Sequence, residues 1–365
     1  MPTVPIGDEG IELFYADSGV PNGSTDYVTI VLVHGVVFHG EIFRRLVPFA
    51  EPNNLRLIRL NWREYPGSSA YSQEEIDTIH SGNQDKQAEF VKKIGRQLAA
   101  FLEYVVRNLD IPKLEVADGR KRGGLAVLSW SMGNVWAMSF LGNAQTLPEE
   151  TKVLLAQYLR TFILFDAAIT TCCGLSRPEG LYSYHPFWDT SIEPEKRKDY
   201  FLTWISYYFT KIANAEDVTA EQLHARTPLH EFPADSSTGV EPKVPSVLRM
   251  TPEEREAVSS YDVLLRSNLQ IIRFAGKIFN YNFERAVFDT DGLWPDAKVL
   301  WMWGDESVDD YILGAQLAYQ RLREPVDEQS TKMRREIEVV RIEGGNHFSH
   351  WDIPDTVVEL IAAHV

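Results

Sequence analysis

Three short clusters hold the residues best suited to chemistry. The first is Ser129-Trp130-Ser131-Met132-Gly133, which follows an apolar run. A serine that attacks a carbonyl has to stand exposed on a tight strand-to-helix turn. That turn needs small residues two places before and two places after the nucleophile. Ser129 and Gly133 meet this need, Ser129 standing where glycine is more usual. The second cluster is Val33-His34-Gly35-Val36-Val37. Acyl transfer needs backbone N–H groups aimed at the developing oxyanion. Met132, the residue after the serine, and Val36 are the expected donors, with Val37 second to Val36. The third cluster is Glu343-Gly-Gly-Asn-His347-Phe-Ser-His350. His347 directly follows the small-residue turn, so it is preferred to His350 as the base that takes the serine proton.

A carboxylate must then hold the imidazole and stabilise the imidazolium. Asp166 closes the run Phe162-Ile-Leu-Phe-Asp166 and is the preferred acid. Asp305 follows Gly304 and is the alternative, in a loop that also carries Glu306, Asp309 and Asp310.

These residues need a scaffold of strand ends. Ile11 to Asp17 alternates, and Tyr27 to Val33, Leu55 to Leu60, Gly124 to Trp130, Phe162 to Asp166, Val299 to Trp303 and Ile337 to Ile342 read as further strands. Gln87 to Leu109 places Phe90, Ile94, Leu98, Leu102 and Val105 at helical spacing, and Asn134 to Leu141 reads as the helix after the serine. Strands alternating with helices imply a mostly parallel sheet. Residues 169–285 break this pattern and are rich in aromatics, among them Tyr182, Trp188, Phe201 and Trp204. They read as a mainly helical insertion over the strand ends, with an amphipathic helix near Asp199 to Ile212 and a polar loop from Thr227 to Pro245. Residues 1–168 and 286–365 then form the core domain. Val37, Trp130, Trp188 and Trp204 are the expected substrate-binding residues.

Composition narrows the function. The formal net charge of −16 repels phosphate backbones and anionic lipid, which argues against nucleic-acid binding. The two cysteines, Cys172 and Cys173, are adjacent and ill placed to pair, which fits a reducing compartment. Neither a secretory h-region nor a run long enough to cross a bilayer is present in the sequence, so cytoplasmic residence is expected. His185 and the cysteine pair lack metal-ligand spacing and are read as structural; no metal or cofactor is expected.

The serine, acid and histidine occur in the order found in the α/β-hydrolase superfamily, which the chain resembles nearly end to end. The stretches Leu60-Asn61-Trp-Arg63-Glu-Tyr65-Pro66-Gly67-Ser68, Ser129 to Asn134, and Gly344 to Asp352 resemble fungal α/β hydrolases associated with secondary-metabolite and toxin biosynthesis. The resemblance implies an eight-stranded, mostly parallel sheet with helices on both faces and a lid inserted after the sixth strand. In the usual form of the Gly304 loop the acid lies three residues after the glycine, where this chain has Ser307. Some relatives carry the acid after the sixth strand, which favours Asp166. Epoxide hydrolases and haloalkane dehalogenases of this fold attack an sp³ carbon with a carboxylate nucleophile. Ser131 instead suits an acyl carbonyl in an ester, lactone or thioester of a moderately apolar small molecule. Two alternatives stand beside this reading. One is an acyltransferase or macrolactone-forming enzyme using the same triad. The other is a ligand-binding protein with little turnover.

Overall fold

The computed structural model describes residues 3–7, 10–117, 119–181, 184–231, 241–324 and 333–365. Eight strands form one sheet: β1 Thr3–Ile6, β2 Ile11–Asp17, β3 Val28–Val33, β4 Leu55–Leu60, β5 Leu125–Trp130, β6 Leu159–Phe165, β7 Lys298–Gly304 and β8 Ile337–Ile342. Their order across the sheet is β1-β2-β4-β3-β5-β6-β7-β8. The β1–β2 and β2–β4 pairs are antiparallel, and every other pair is parallel. β3, β5 and β6 are buried along their whole length, as central strands covered on both faces must be. This topology is the α/β-hydrolase fold.

The parallel strands all run the same way, so their C-terminal ends meet at one edge. Register aligns Val33 with Ser129, Trp130 with Phe165, and Phe165 with Met302. The three clusters and both candidate acids therefore emerge together. This is where open α/β sheets place their ligands.

β2, β4 and β8 have the expected bounds, and the other expected strands differ by a few residues at their ends. The sequence reading had no strand at β1, whose four residues include Pro5. Pro5 is tolerated there because β1 is an edge strand. It also lacked the helix α1, Gln73–His80, which a Ser72–Glu75 capping box starts. α2, Gln84–Asn108, begins three residues earlier than expected, since the Asn83 side chain caps the N–H groups of Asp85 and Lys86. α3, Gly133–Gly142, follows the serine and is buried throughout.

No strand of the sheet lies between Phe165 and Lys298 among the described residues. That span holds several short helices. They include α4, Arg197–Ile205, which is shorter than the amphipathic helix expected there. Tyr182 and residues 232–240 of the expected polar loop lie outside the described residues. The helix α5, Gly276–Val287, spans the expected domain boundary at 285. It packs closely on α3: a Cβ on Gly142 would come within 2.7 Å of the Asn282 carbonyl oxygen. α6, Asp309–Arg323, follows β7. No helix among the described residues is long and apolar enough to cross a membrane.

Candidate active site

Ser131 sits between β5 and α3 with φ at 56°, a left-handed torsion that non-glycine residues rarely adopt. Four hydrogen bonds hold the turn. The Ser131 N–H donates to the Phe165 carbonyl at 3.1 Å. Asn134 Nδ2 donates to the carbonyls of Ser131 and Phe165 at 2.8 and 3.0 Å. Ser129 Oγ donates to Asn134 Oδ1 at 2.7 Å, so the unusual Ser129 helps to brace the turn. Two glycines make the close approach possible. A Cβ on Gly133 would lie 2.5 Å from the Val33 carbonyl oxygen, and one on Gly35 would lie 2.8 Å from Ser131 Cβ. Beneath the turn, buried Cys172 donates its thiol to the Ser131 carbonyl at 3.3 Å.

His347 is 1% exposed and Asp166 is fully buried. His347 Nδ1 and Asp166 Oδ2 are 2.9 Å apart. Burial lowers the His347 pKa below the ordinary histidine value, although the Asp166 hydrogen bond and charge oppose the shift. The ring is therefore neutral at pH 7, with Nδ1–H donated to Asp166 and Nε2 left unprotonated. Asp166 itself has φ at 45°. It also accepts from the Gly304 N–H at 3.0 Å and from Ser307 Oγ at 2.8 Å. Ser307 stands where the resemblance would place a carboxylate, and here its hydroxyl bonds Asp166 instead.

Asp305 does not reach His347. Its Oδ1 accepts from the Gly344 N–H at 2.8 Å, so it holds the loop that leads to the histidine. Burial raises its carboxyl pKa to about 6. The other acids of that loop are also engaged elsewhere. Glu306 pairs with Lys243, Asp309 with Arg226, and Asp310 with Arg177. His350 is fully buried among Phe43, Trp130 and Phe348, with neither ring nitrogen hydrogen-bonded among the described residues.

The N–H groups of Val36 and Met132 have no hydrogen-bond partner among the described residues. Met132 also caps α3, whose N-terminal dipole favours negative charge there. The Val36 loop is fixed from behind by His34. Its Nδ1 bonds the Gly35 carbonyl at 2.8 Å, and its Nε2 accepts from the Trp62 N–H at 3.0 Å. Burial lowers the His34 pKa to about 3, so this clamp stays neutral. The Phe38 N–H bonds the Val36 carbonyl at 2.8 Å across Val37, which is forced to a φ of 69°.

A cavity of about 470 Å³ opens over Ser131 and His347, within the range of small-molecule sites. Trp130, Trp188 and Trp204 line it, as does Val36. Val37 does not; its side chain turns into the core because of the positive φ. Trp130 also serves the histidine loop, donating Nε1–H to the His347 carbonyl at 2.8 Å and stacking on its ring at 4.8 Å. His185, read from the sequence as structural, is on the cavity wall.

The sequence reading missed Tyr311. Its ring stacks on His347 with centroids 4.1 Å apart and planes 6° apart, and its hydroxyl lies against the Ser131 side chain. Burial raises its phenol pKa well above the ordinary value, so it remains a donor. No hydrogen bond joins Ser131 Oγ to His347 among the described residues. The only sequence signal for Tyr311 is its place one residue after Asp310, in the first turn of α6.

The insertion and the histidine loop are tied together. Asn346 Nδ2 donates to the Ser206 carbonyl at 2.9 Å and to Ser246 Oγ at 2.8 Å. Buried Asp352 accepts from Tyr208 and Ser246, both at 2.5 Å, and pairs with Arg249. No group of three or more His, Cys, Asp or Glu side chains is placed to hold a metal ion among the described residues.

No protein-family model and no curated protein matches the chain. Among solved structures it is similar to three of note. A bromoperoxidase from Bacillus anthracis is 14% identical, with TM-score 0.48, covering 99% of this chain and 98% of the other. An epoxide hydrolase from Vigna radiata is 13% identical, with TM-score 0.49 and coverage of 99% and 96%. An esterase from Exiguobacterium antarcticum is 12% identical, with TM-score 0.46 and coverage of 99% and 98%. Likeness at this level carries no argument about the reaction, which has to come from the site.

Proposed function

We propose that the protein is a serine hydrolase that cleaves an ester, lactone or thioester through an acyl-enzyme. The observation that carries this reading is Ser131, strained at the elbow and facing the same cavity as the buried His347–Asp166 pair. Ser131 Oγ attacks the acyl carbonyl as His347 Nε2 takes its proton. Asp166 holds the opposite nitrogen and stabilises the imidazolium. The N–H groups of Val36 and Met132, without partners among the described residues, donate to the oxyanion. The leaving group departs with the proton from His347. A water molecule, deprotonated in turn by His347, then releases the acid and restores Ser131.

Two aromatic faces add to this. The imidazolium would form between Tyr311 and Trp130, at 4.1 and 4.8 Å. Ring faces attract a desolvated cation by about 0.5–2 kcal/mol each. Residues 169–285 serve as the lid of this site, and their aromatics favour a moderately apolar acyl group. A cavity that excludes water would equally let an alcohol act as acyl acceptor, which is the transferase form of the same chemistry.

A binding protein on this fold is the second reading. It draws on the missing Ser131–His347 hydrogen bond. One experiment separates the two. A fluorophosphonate adds once to the native chain and not to Ser131→Ala if the serine is activated. Folded native protein that takes no adduct supports binding without catalysis.

A further inference from the structure

One wall of the cavity is a stacked column built entirely from the insertion. Phe201 stacks on His185 at 5.3 Å, His185 on Trp188 at 5.2 Å, and the Arg273 guanidinium lies 4.1 Å over the Trp188 ring. All four residues line the cavity. Exposure rises along the column, from 5% at Phe201 to 39% at Trp188, with Arg273 also exposed. Its apolar end is deep and its cationic end is at the mouth.

Arg273 is the cavity cation without a carboxylate partner among the described residues. The cavity carboxylate, Asp310, is already neutralised by Arg177 at 2.8 Å and bonded by Thr170 at 2.6 Å. His185 is half-buried, and desolvation lowers its pKa to about 4, so it is uncharged at neutral pH. The Trp188 ring covers one side of the guanidinium, whose carbon lies 4.1 Å from the ring centroid. The N–H donors at its edge have no hydrogen-bond acceptor among the described residues. A pre-oriented fork of this kind matches a carboxylate in two parallel hydrogen bonds. The chain as a whole carries a net charge of −16 and repels anions, so an anionic substrate needs such a local cation.

We infer that Arg273 is an anion anchor, and that the preferred substrate is an apolar acyl ester or lactone with a carboxylate remote from the scissile bond. This rests on the serine-hydrolase reading for its chemistry, but not for its binding. The apolar middle of the substrate lies along Trp188, His185 and Phe201, and its carboxylate reaches Arg273 at the mouth.

The test compares mono-4-nitrophenyl esters of linear dicarboxylic acids with neutral 4-nitrophenyl esters of equal chain length. The native chain should favour the carboxylate series by about ten-fold in kcat/KM, chiefly through KM. That corresponds to about 1.4 kcal/mol. Arg273→Gln should bring the ratio near one, and Arg273→Lys, which keeps the charge, should retain part of it. A native ratio near one, or a ratio unchanged in Arg273→Gln, overturns the inference. Calorimetry with suberanilic acid and its neutral primary amide reads the same preference without turnover. Native protein should bind the acid more tightly than the amide, and Arg273→Gln should lose the difference. If fluorophosphonate labelling of Ser131 fails while this binding preference holds, the hydrolase reading falls and the anchor stands. Equal binding of the acid and the amide by native protein overturns the anchor alone.

Discussion

Asp166 and Asp305 directly follow β6 and β7, neighbouring strands of one sheet, and both are fully buried, yet their surroundings differ sharply. Asp166 accepts three hydrogen bonds: from His347, the Gly304 N–H and Ser307. Asp305 has one clear donor, the Gly344 N–H, while its Oδ2 is unpartnered among the described residues and 3.9 Å from Arg341. A buried carboxylate is tolerable when donors surround it and costly when they do not. Asp166 therefore has the donors that a buried carboxylate facing His347 needs. Asp305 is equipped only to hold a loop, and burial raises its pKa accordingly. Position at a strand end does not assign a catalytic acid; the supply of donors does.

The largest expected effect comes from breaking the better-supplied site. Asp166→Asn should lower kcat by about 1,000- to 10,000-fold, the scale seen when a triad acid loses its charge and the histidine its correct tautomer. Asp305→Asn should keep most of the turnover. Equal losses in steady-state assays of the two variants would erase the distinction between these acids.

A smaller effect sharpens it. Ser307 stands where the usual acid would be, and its hydroxyl already touches Asp166. Asp166→Ser combined with Ser307→Asp should recover about ten-fold in kcat over Asp166→Ser alone, a coupling expected of residues in direct contact. No recovery, in protein shown to be folded by circular dichroism, would mean that the loop cannot present a carboxylate to His347.

The smallest effect is on stability. The Asp305 carboxyl is raised to about 6 in the folded chain, against about 4 when unfolded. The folded state therefore holds the proton more tightly, and this contribution to stability is lost as pH rises from about 4 through about 6. Asp305→Asn keeps an acceptor for Gly344 and removes the charge. It should raise Tm by about 1–3 °C at pH 7.5, with the gain fading at pH 4.5. A lower Tm at pH 7.5 would show that the charge itself holds the loop.

Much of this arrangement was legible in the residues. Ser131, Val36 and Met132 follow buried strands and His347 follows the half-buried β8, and apolar runs ending abruptly in Gly, Ser or His announce such exits. Asp166 was legible in the same way, at the end of a run. What gives Asp166 rather than Asp305 the contact with His347 was not, because Ser307, Gly304 and His347 meet it only through the folded register of β6, β7 and the histidine loop. Tyr311 was hidden for a related reason. Its partner His347 is 36 residues away in the chain, and an aromatic in the first turn of a helix is usually core. Val37 failed as a substrate contact because the turn that frees Val36 drives Val37 inward, and a torsion of that kind leaves no mark in composition.

The central claim is that a buried, neutral His347 held by Asp166 activates Ser131. The most direct test follows phosphonylation by a fluorophosphonate against pH, with intact mass as the readout. Native protein should gain a single adduct that Ser131→Ala lacks. The labelling rate should fall on the acid side with a midpoint below about 6.5, because burial lowers the His347 pKa and the base is lost only when it protonates. An adduct retained in Ser131→Ala, an acid midpoint well above that value, or no adduct on the folded native chain would contradict it.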